Sequence, residues 1–178
     1  MKVLIDTNVL LDFYCEREDF YQDAANIFDL ACCGKIEIWV SPISFVNFFY
    51  ITRKEYTIEQ RYEIMRGLMQ ICNIASTDKF VLSEALSNVV PDFEDMVQYH
   101  SARLVSADCI VTRNVKDFAT ATTIAVMTPS QFLAAPKGAA VIFGSAKKVY
   151  RRKERRGALP RLCPLLSSRR RKSTVDLT

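Results

Sequence analysis

Short apolar runs alternating with longer helical stretches constrain this chain more than any other feature. The runs are Lys2–Ile5, Ile36–Val40, Ile71–Ala75, 109–112 and Thr123–Val126. Each is brief and mostly rich in β-branched residues, as suits strands buried on both faces. Between them, Phe20–Cys33 carries Ala24, Ile27, Phe28 and Ala31 on one helical face, with Gly34 as its stop. Ser41-Pro42 opens a helix through about Lys54, since proline is tolerated in a first helical turn. Thr57 starts a TxxQ capping pattern for Ile58–Gln70, Asp78 begins a helix to Ser87, and two more start at Asp92 and Pro129. Strands alternating with helices imply a parallel sheet covered on both sides, an α/β fold with a central parallel sheet. No internal repeat is present.

In such sheets ligands bind beyond the C-terminal ends of the strands. The first run stops at Asp6-Thr7-Asn8, and Val9–Phe13 then reads as a helical turn. Taken alone, Asp6 reads as a helix cap, because Asp, Thr and Asn are all good N-cap residues. Further acids change the balance. Asp92-Phe93-Glu94-Asp95 opens a helix in which Asp92 is the natural cap and Asp95 falls near the third position. The fourth strand runs out into Thr112-Arg113-Asn114-Val115-Lys116-Asp117. With all strands parallel, Asp6, Asp95 and Asp117 face one cleft although they are far apart in sequence.

The opening IDTNVLLD, the D-x-E-D helix start at 92–95, ADCIVTRNVKDF and the ending TTIAVMTPSQFL, in that order over residues 1 to about 135, resemble the PIN domain family, and more narrowly its VapC-type toxins. The resemblance implies a PIN-like three-layer α/β/α sandwich. It further implies a divalent-metal-dependent endoribonuclease, the toxin of a toxin–antitoxin pair, with an antitoxin protein as partner and a homodimer as assembly. Asp6, Asp95 and Asp117 would be the catalytic and metal-holding residues, with Asn8, Asn47, Thr112 and Asn114 at the margin. Mg2+, or Mn2+, suits such a site, because Mg2+ prefers oxygen ligands and keeps several waters. A metal so held activates water and polarises a phosphoryl oxygen, so no protein nucleophile is required.

Two positions depart from the family pattern. Asn47, in SPISFVNFFYITRK, matches a position where a Glu is usual, and Asn114 stands where many relatives carry Asp. An amide oxygen can orient a metal-bound water but adds no negative charge, so about two charges are lost from the site and metal affinity should weaken. Beside the nuclease, the residues therefore leave open a PIN-fold binding module whose catalysis has lapsed. A third class, a phosphatase using Asp6 as nucleophile, lacks the second Asp two residues on, and there is no GxGxxG or GxxxxGKS loop. The lone histidine, His100, lies inside a helical stretch and reads as structural. Phe45, Phe48, Phe49 and Tyr50 crowd one helix beside Asn47; most read as core, with any exposed subset available as an interface.

Six cysteines without a CxxC spacing imply free thiols in a reducing, cytoplasmic setting. No apolar run is long enough to span a bilayer, so no membrane role is expected. The net charge of +4 hides a division. Residues 137–178 hold 13 of the 24 Lys and Arg and 2 of the 20 Asp and Glu, a net of +11, which leaves 11 basic and 18 acidic residues, a net of −7, in 1–136. A PIN-like domain over 1–136 and a basic, disordered extension over 137–178 are expected. The extension reads either as an electrostatic partner for nucleic acid or as a fused or frame-shifted segment without a role of its own.

Overall fold

The computed structural model describes residues 1–87, 89–118 and 123–135. Five strands, β1 (Lys2–Ile5), β2 (Glu37–Val40), β3 (Cys72–Ile74), β4 (Cys109–Val111) and β5 (Ala125–Met127), form one sheet in the order β3-β2-β1-β4-β5. All four pairings are parallel, with Ile5 opposite Val111 and Leu4 opposite Trp39. Seven α-helices connect and cover the sheet: α1 (Thr7–Tyr14), α2 (Tyr21–Cys32), α3 (Pro42–Ile51), α4 (Ile58–Ile71), α5 (Lys79–Leu86), α6 (Phe93–Leu104) and α7 (Pro129–Ala134).

The period-two alternation of strand side chains divides the interior into two cores. Val3, Ile5, Ile38, Val40, Cys109 and Val111 point to one face and pack with α1, α2, α4 and Phe132 of α7. Leu4 and Ile110 point to the other, against Val81 and Ala85 of α5 and Met96, Val97 and Ala102 of α6. Cys72 and Cys109 are buried among these side chains, and burial pushes the Cys109 thiol up to about 12. Such a thiol packs as a small hydrophobe. The expected three layers are therefore present.

Local chemistry sets the helix ends. Gly34 takes φ +65° just beyond α2, a left-handed conformation that glycine adopts without strain. Thr57 and Gln60 form the reciprocal capping box of α4, and Thr128 with Gln131 repeats it for α7. Asp78 caps α5 through the Val81 N–H. Several boundaries shift by one residue from the sequence reading, and two elements differ by more. The helix expected to reach Lys54 is α-helical only to Ile51 and tightens to a 3-10 turn over Thr52–Lys54, where the Thr52 hydroxyl donates to the Phe48 carbonyl at 2.8 Å. The last strand starts at Ala125 rather than Thr123, because the Thr123 N–H donates instead to the Tyr99 hydroxyl on α6. No helix among the described residues is long and apolar enough to cross a membrane. The segment 137–178 lies outside the described residues.

The strand order matters for function. From β1 the chain moves outward to β2 and β3, then returns to the far side of β1 to build β4 and β5. The crevice between the ends of β1 and β4 is thus the point where the winding reverses, the usual ligand position in an open parallel sheet. Asp6 follows β1 and Thr112 follows β4 directly into that crevice.

Candidate functional site at the β1–β4 crevice

Asp6 occupies the N-cap position of α1, yet its side chain makes no capping bond. Its backbone carbonyl takes the Val9 and Leu10 N–H groups, while its carboxylate, 2% exposed, turns into the crevice. There Oδ2 accepts from the Thr112 hydroxyl at 2.8 Å and the Asn8 amide at 3.1 Å, and Oδ1 accepts from the Gln98 amide at 3.1 Å. Asp92, by contrast, does cap, accepting from the Glu94 and Asp95 N–H groups at the start of α6. Of Asp6 and Asp92, both of which have a capping explanation, Asp92 alone uses it.

A second carboxylate stands beside Asp6. Glu94 accepts from the Asn47 amide at 2.6 Å, the Thr7 hydroxyl at 3.1 Å and the Gln98 amide at 3.3 Å. One Gln98 nitrogen therefore bridges the carboxylates of Asp6 and Glu94. Donors inserted between like charges offset a repulsion that would be severe at low dielectric. Gln98 and Glu94 are four residues apart on α6, which puts both on one helical face.

Asp95, the next residue, is buried at 6% exposure, and its Oδ2 has no hydrogen-bond partner. Burial first, then repulsion from Asp6, Asp92, Asp117 and Glu94, pushes its carboxyl up to about 8. Asp117 sits exposed on a 3-10 turn, Val115–Phe118, and reaches Asp95 through charge rather than through a hydrogen bond. Asn114, also exposed, joins the network through its backbone N–H, which donates to the Thr112 hydroxyl at 2.9 Å. Arg113 donates to Asn8 at 3.2 Å.

Asp6, Asn8, Asn47, Thr112 and Asn114 thus belong to one hydrogen-bonded network, and Asp95 and Asp117 are coupled to it electrostatically. Glu94, Gln98 and Thr7 were not anticipated. The signal for Glu94 lies in the D-x-E-D pattern at 92–95, where capping accounts for its neighbours but not for Glu94 itself. His100 is buried on α6 against Tyr99, with its pKa lowered by burial and by Arg103, and takes no part in the network.

The crevice suits a divalent cation in one specific respect. Asp95 presents a buried oxygen without a donor, in a field of four other carboxylates that a cation would relieve. Among the described residues no three His, Cys, Asp or Glu side chains form a ready-made coordination set. Mg2+ does not need one, because it is commonly held by one or two carboxylates and several waters.

The PIN domain family model matches residues 2–116. No curated protein matches the chain. Among solved structures, similar folds occur in VapBC2 from Rickettsia felis bound to a promoter DNA fragment (17% identity, 72% of this chain and 98% of that one, TM-score 0.53). A toxin–antitoxin complex from Klebsiella pneumoniae is similar at 19% identity, over 71% of this chain and 97% of that one, with a TM-score of 0.54. VapBC-1 from nontypeable Haemophilus influenzae shares 14% identity over 73% of this chain and 99% of that one, with a TM-score of 0.53.

Proposed function

Because the chain belongs to the PIN domain family, we propose that its β1–β4 crevice is the active site of a divalent-metal-dependent endoribonuclease and that the protein is the toxin of a toxin–antitoxin pair. One observation carries this reading. Asp6 and Glu94 are locked together by Gln98 at the winding reversal, with the donor-less Asp95 oxygen beside them. Mg2+ or Mn2+, when bound, would supply Lewis acidity to a phosphodiester and lower the pKa of water. Asp95 and Asp6 are the residues to hold it, and Asp117 at the rim adds negative charge.

The side chains have separable tasks. Thr112, Asn8 and Gln98 fix both oxygens of Asp6, so that its orientation does not depend on ligand. Asn47 fixes Glu94, placing a carboxylate next to the position where relatives carry Glu. With no histidine in the network, proton transfer falls to carboxylates and water. An antitoxin partner and a homodimer belong to the same reading. Val46 and Tyr50, well exposed on α3, provide apolar surface for such contacts.

The decisive experiment incubates the full chain with single-stranded RNA in Mg2+, in Mn2+ and in chelator. Cleavage that requires metal supports the proposal; cleavage that survives chelation overturns its metal dependence. A second reading, a binding module with lapsed catalysis, is favoured by the saturation of Asp6, whose oxygens already hold three donors. RNA retention without cleavage under every condition would decide for it.

A further inference from the structure

We propose that Arg113 anchors a backbone phosphate of the RNA beside Asp6, and that the buried Asp12 is the residue that positions it. The proposal deepens the nuclease reading and rests on its RNA substrate. An acidic crevice faces a physical difficulty with such a substrate. Residues 1–136 carry a net of −7, and Asp6, Glu94 and Asp117 gather negative charge around Asp95, where the strand must approach. A polyanion is repelled from such a surface unless a fixed cation stands close by.

Arg113 is hydrogen-bonded into the network itself. Its Nη2 donates to the Asn8 Oδ1 at 3.2 Å, and the Asn8 amide donates to Asp6 at 3.1 Å. Its Nε lies 3.4 Å from the Asp12 Oδ2, and its guanidinium stacks 4.5 Å from the centre of the Phe20 ring. One face and one edge of the guanidinium are therefore fixed, while a quarter of the side chain stays accessible. A planar fork held this way loses little freedom on meeting a phosphate.

A merely structural role, neutralising Asp12, does not require this arrangement. Asp12 is a fully buried carboxylate on α1 that already pairs with Arg17, at 3.4 Å through its other oxygen. Two guanidiniums around one carboxylate leave one positive charge in surplus, next to the crevice. Arg113 also comes directly after Thr112, so the same turn that orients Asp6 delivers the cation.

The test measures binding of a fluorescein-labelled single-stranded RNA to the full chain across a salt series. Ca2+ replaces Mg2+, and the strand is checked for integrity by gel. Wild type is compared with Arg113→Gln, Asp12→Asn and, as a control, Arg103→Gln, an exposed cation on α6. Each phosphate neutralised contributes about 0.7 to the slope of log K against log salt for a single strand. Arg113→Gln is expected to reduce the slope by about 0.7 and to weaken low-salt binding roughly tenfold. Asp12→Asn should weaken binding with little change of slope, since the cation remains but is no longer held. Arg103→Gln should match wild type. If Arg113→Gln does not fold, the double variant Asp12→Asn/Arg113→Gln, which leaves no orphaned carboxylate, is read in its place. Unchanged slope and affinity in the Arg113 variant would reduce it to a counterion of Asp12 while the RNA reading stands. A wild-type chain that binds no RNA would overturn both.

Discussion

Asn47 donates its amide to the Glu94 carboxylate at 2.6 Å, tying the middle of α3 to the first turn of α6. The amide, at a position where the family resemblance implies an acid, thus has a carboxylate as its partner, supplied from another helix. Glu94 therefore meets a donor at this position, where a second carboxylate would repel it. Exchanging the amide for a carboxylate, Asn47→Glu, should set two like charges in contact and remove a hydrogen bond to a charged group. In chelator the variant should lose about 2 kcal/mol of stability, within the range for losing such a bond. Millimolar Mg2+ should recover much of the loss, and Asn47→Glu/Glu94→Gln should recover it without metal. Thermal melts of the three variants check this; a full loss that Mg2+ leaves untouched would mean that the pair does not face a metal position.

Asp6→Asn alters the best-held side chain in the crevice. The amide nitrogen must face Thr112 and Asn8 or else Gln98, all of which donate to the carboxylate. One donor–donor clash is therefore unavoidable, at a cost of roughly 1–3 kcal/mol. The fold should survive, with RNA cleavage reduced roughly a hundredfold or more, the scale for losing one preorganised electrostatic group. Circular dichroism and a single-turnover cleavage assay separate the two effects. Activity near wild type in a folded variant would remove Asp6 from the mechanism.

Asp95 links the site to pH. Its folded pKa of about 8 lies above the ordinary 3.8, so between these values the folded chain binds more protons than the unfolded one. The resulting stability is fully present below the unfolded pKa and is lost as pH rises through the folded one. In chelator the chain should therefore melt lower at pH 8.5 than at pH 6.5, settings chosen to bracket roughly the folded value. Asp95→Asn should flatten that slope and raise the melting temperature on the alkaline side. His100 acts in the opposite sense. Its pKa is lowered by burial, so its contribution is present above the unfolded value and lost as pH falls through the folded one. The Asp95→Asn comparison isolates the carboxyl, because His100 titrates equally in both proteins. A slope that survives Asp95→Asn would assign the alkaline loss to another group.

The sheet was legible because its strands are short β-branched runs, and their parallel order follows once helices intervene. The caps were legible too: Thr57 with Gln60 and Asp78 use local hydrogen bonds that a sequence spells out. Thr123 left its strand for a reason no local pattern carries, the Tyr99 hydroxyl on a neighbouring helix. The site divided along the same line. Asp6 stood out at a strand end, whereas Gln98 lies in mid-helix and becomes notable only when folding sets its amide between Asp6 and Glu94. Arg113 was visible as a charge beside Thr112, but its partner Asp12 gave no sign of being buried.

The boundary near residue 136 gives the last prediction. Phe132 of α7, 3% exposed, packs into the core that contains Ile27, Phe28 and Val111. Deleting 137–178 keeps that side chain and the capping box of Thr128 and Gln131, so the melting temperature should stay near that of the full chain. Deleting 129–178 removes Phe132 and opens a core cavity, at a cost of roughly 3–5 kcal/mol by the usual scale for a buried phenyl ring. That is a large share of the 5–15 kcal/mol that holds typical domains together. The shorter deletion should also flatten the salt dependence of RNA binding, since it removes 13 Lys and Arg. Melting curves and salt titrations of the two truncations distinguish the contributions. If the 1–136 chain unfolds, the stable unit extends beyond α7; if its salt slope equals that of the full chain, the basic segment does not meet the RNA.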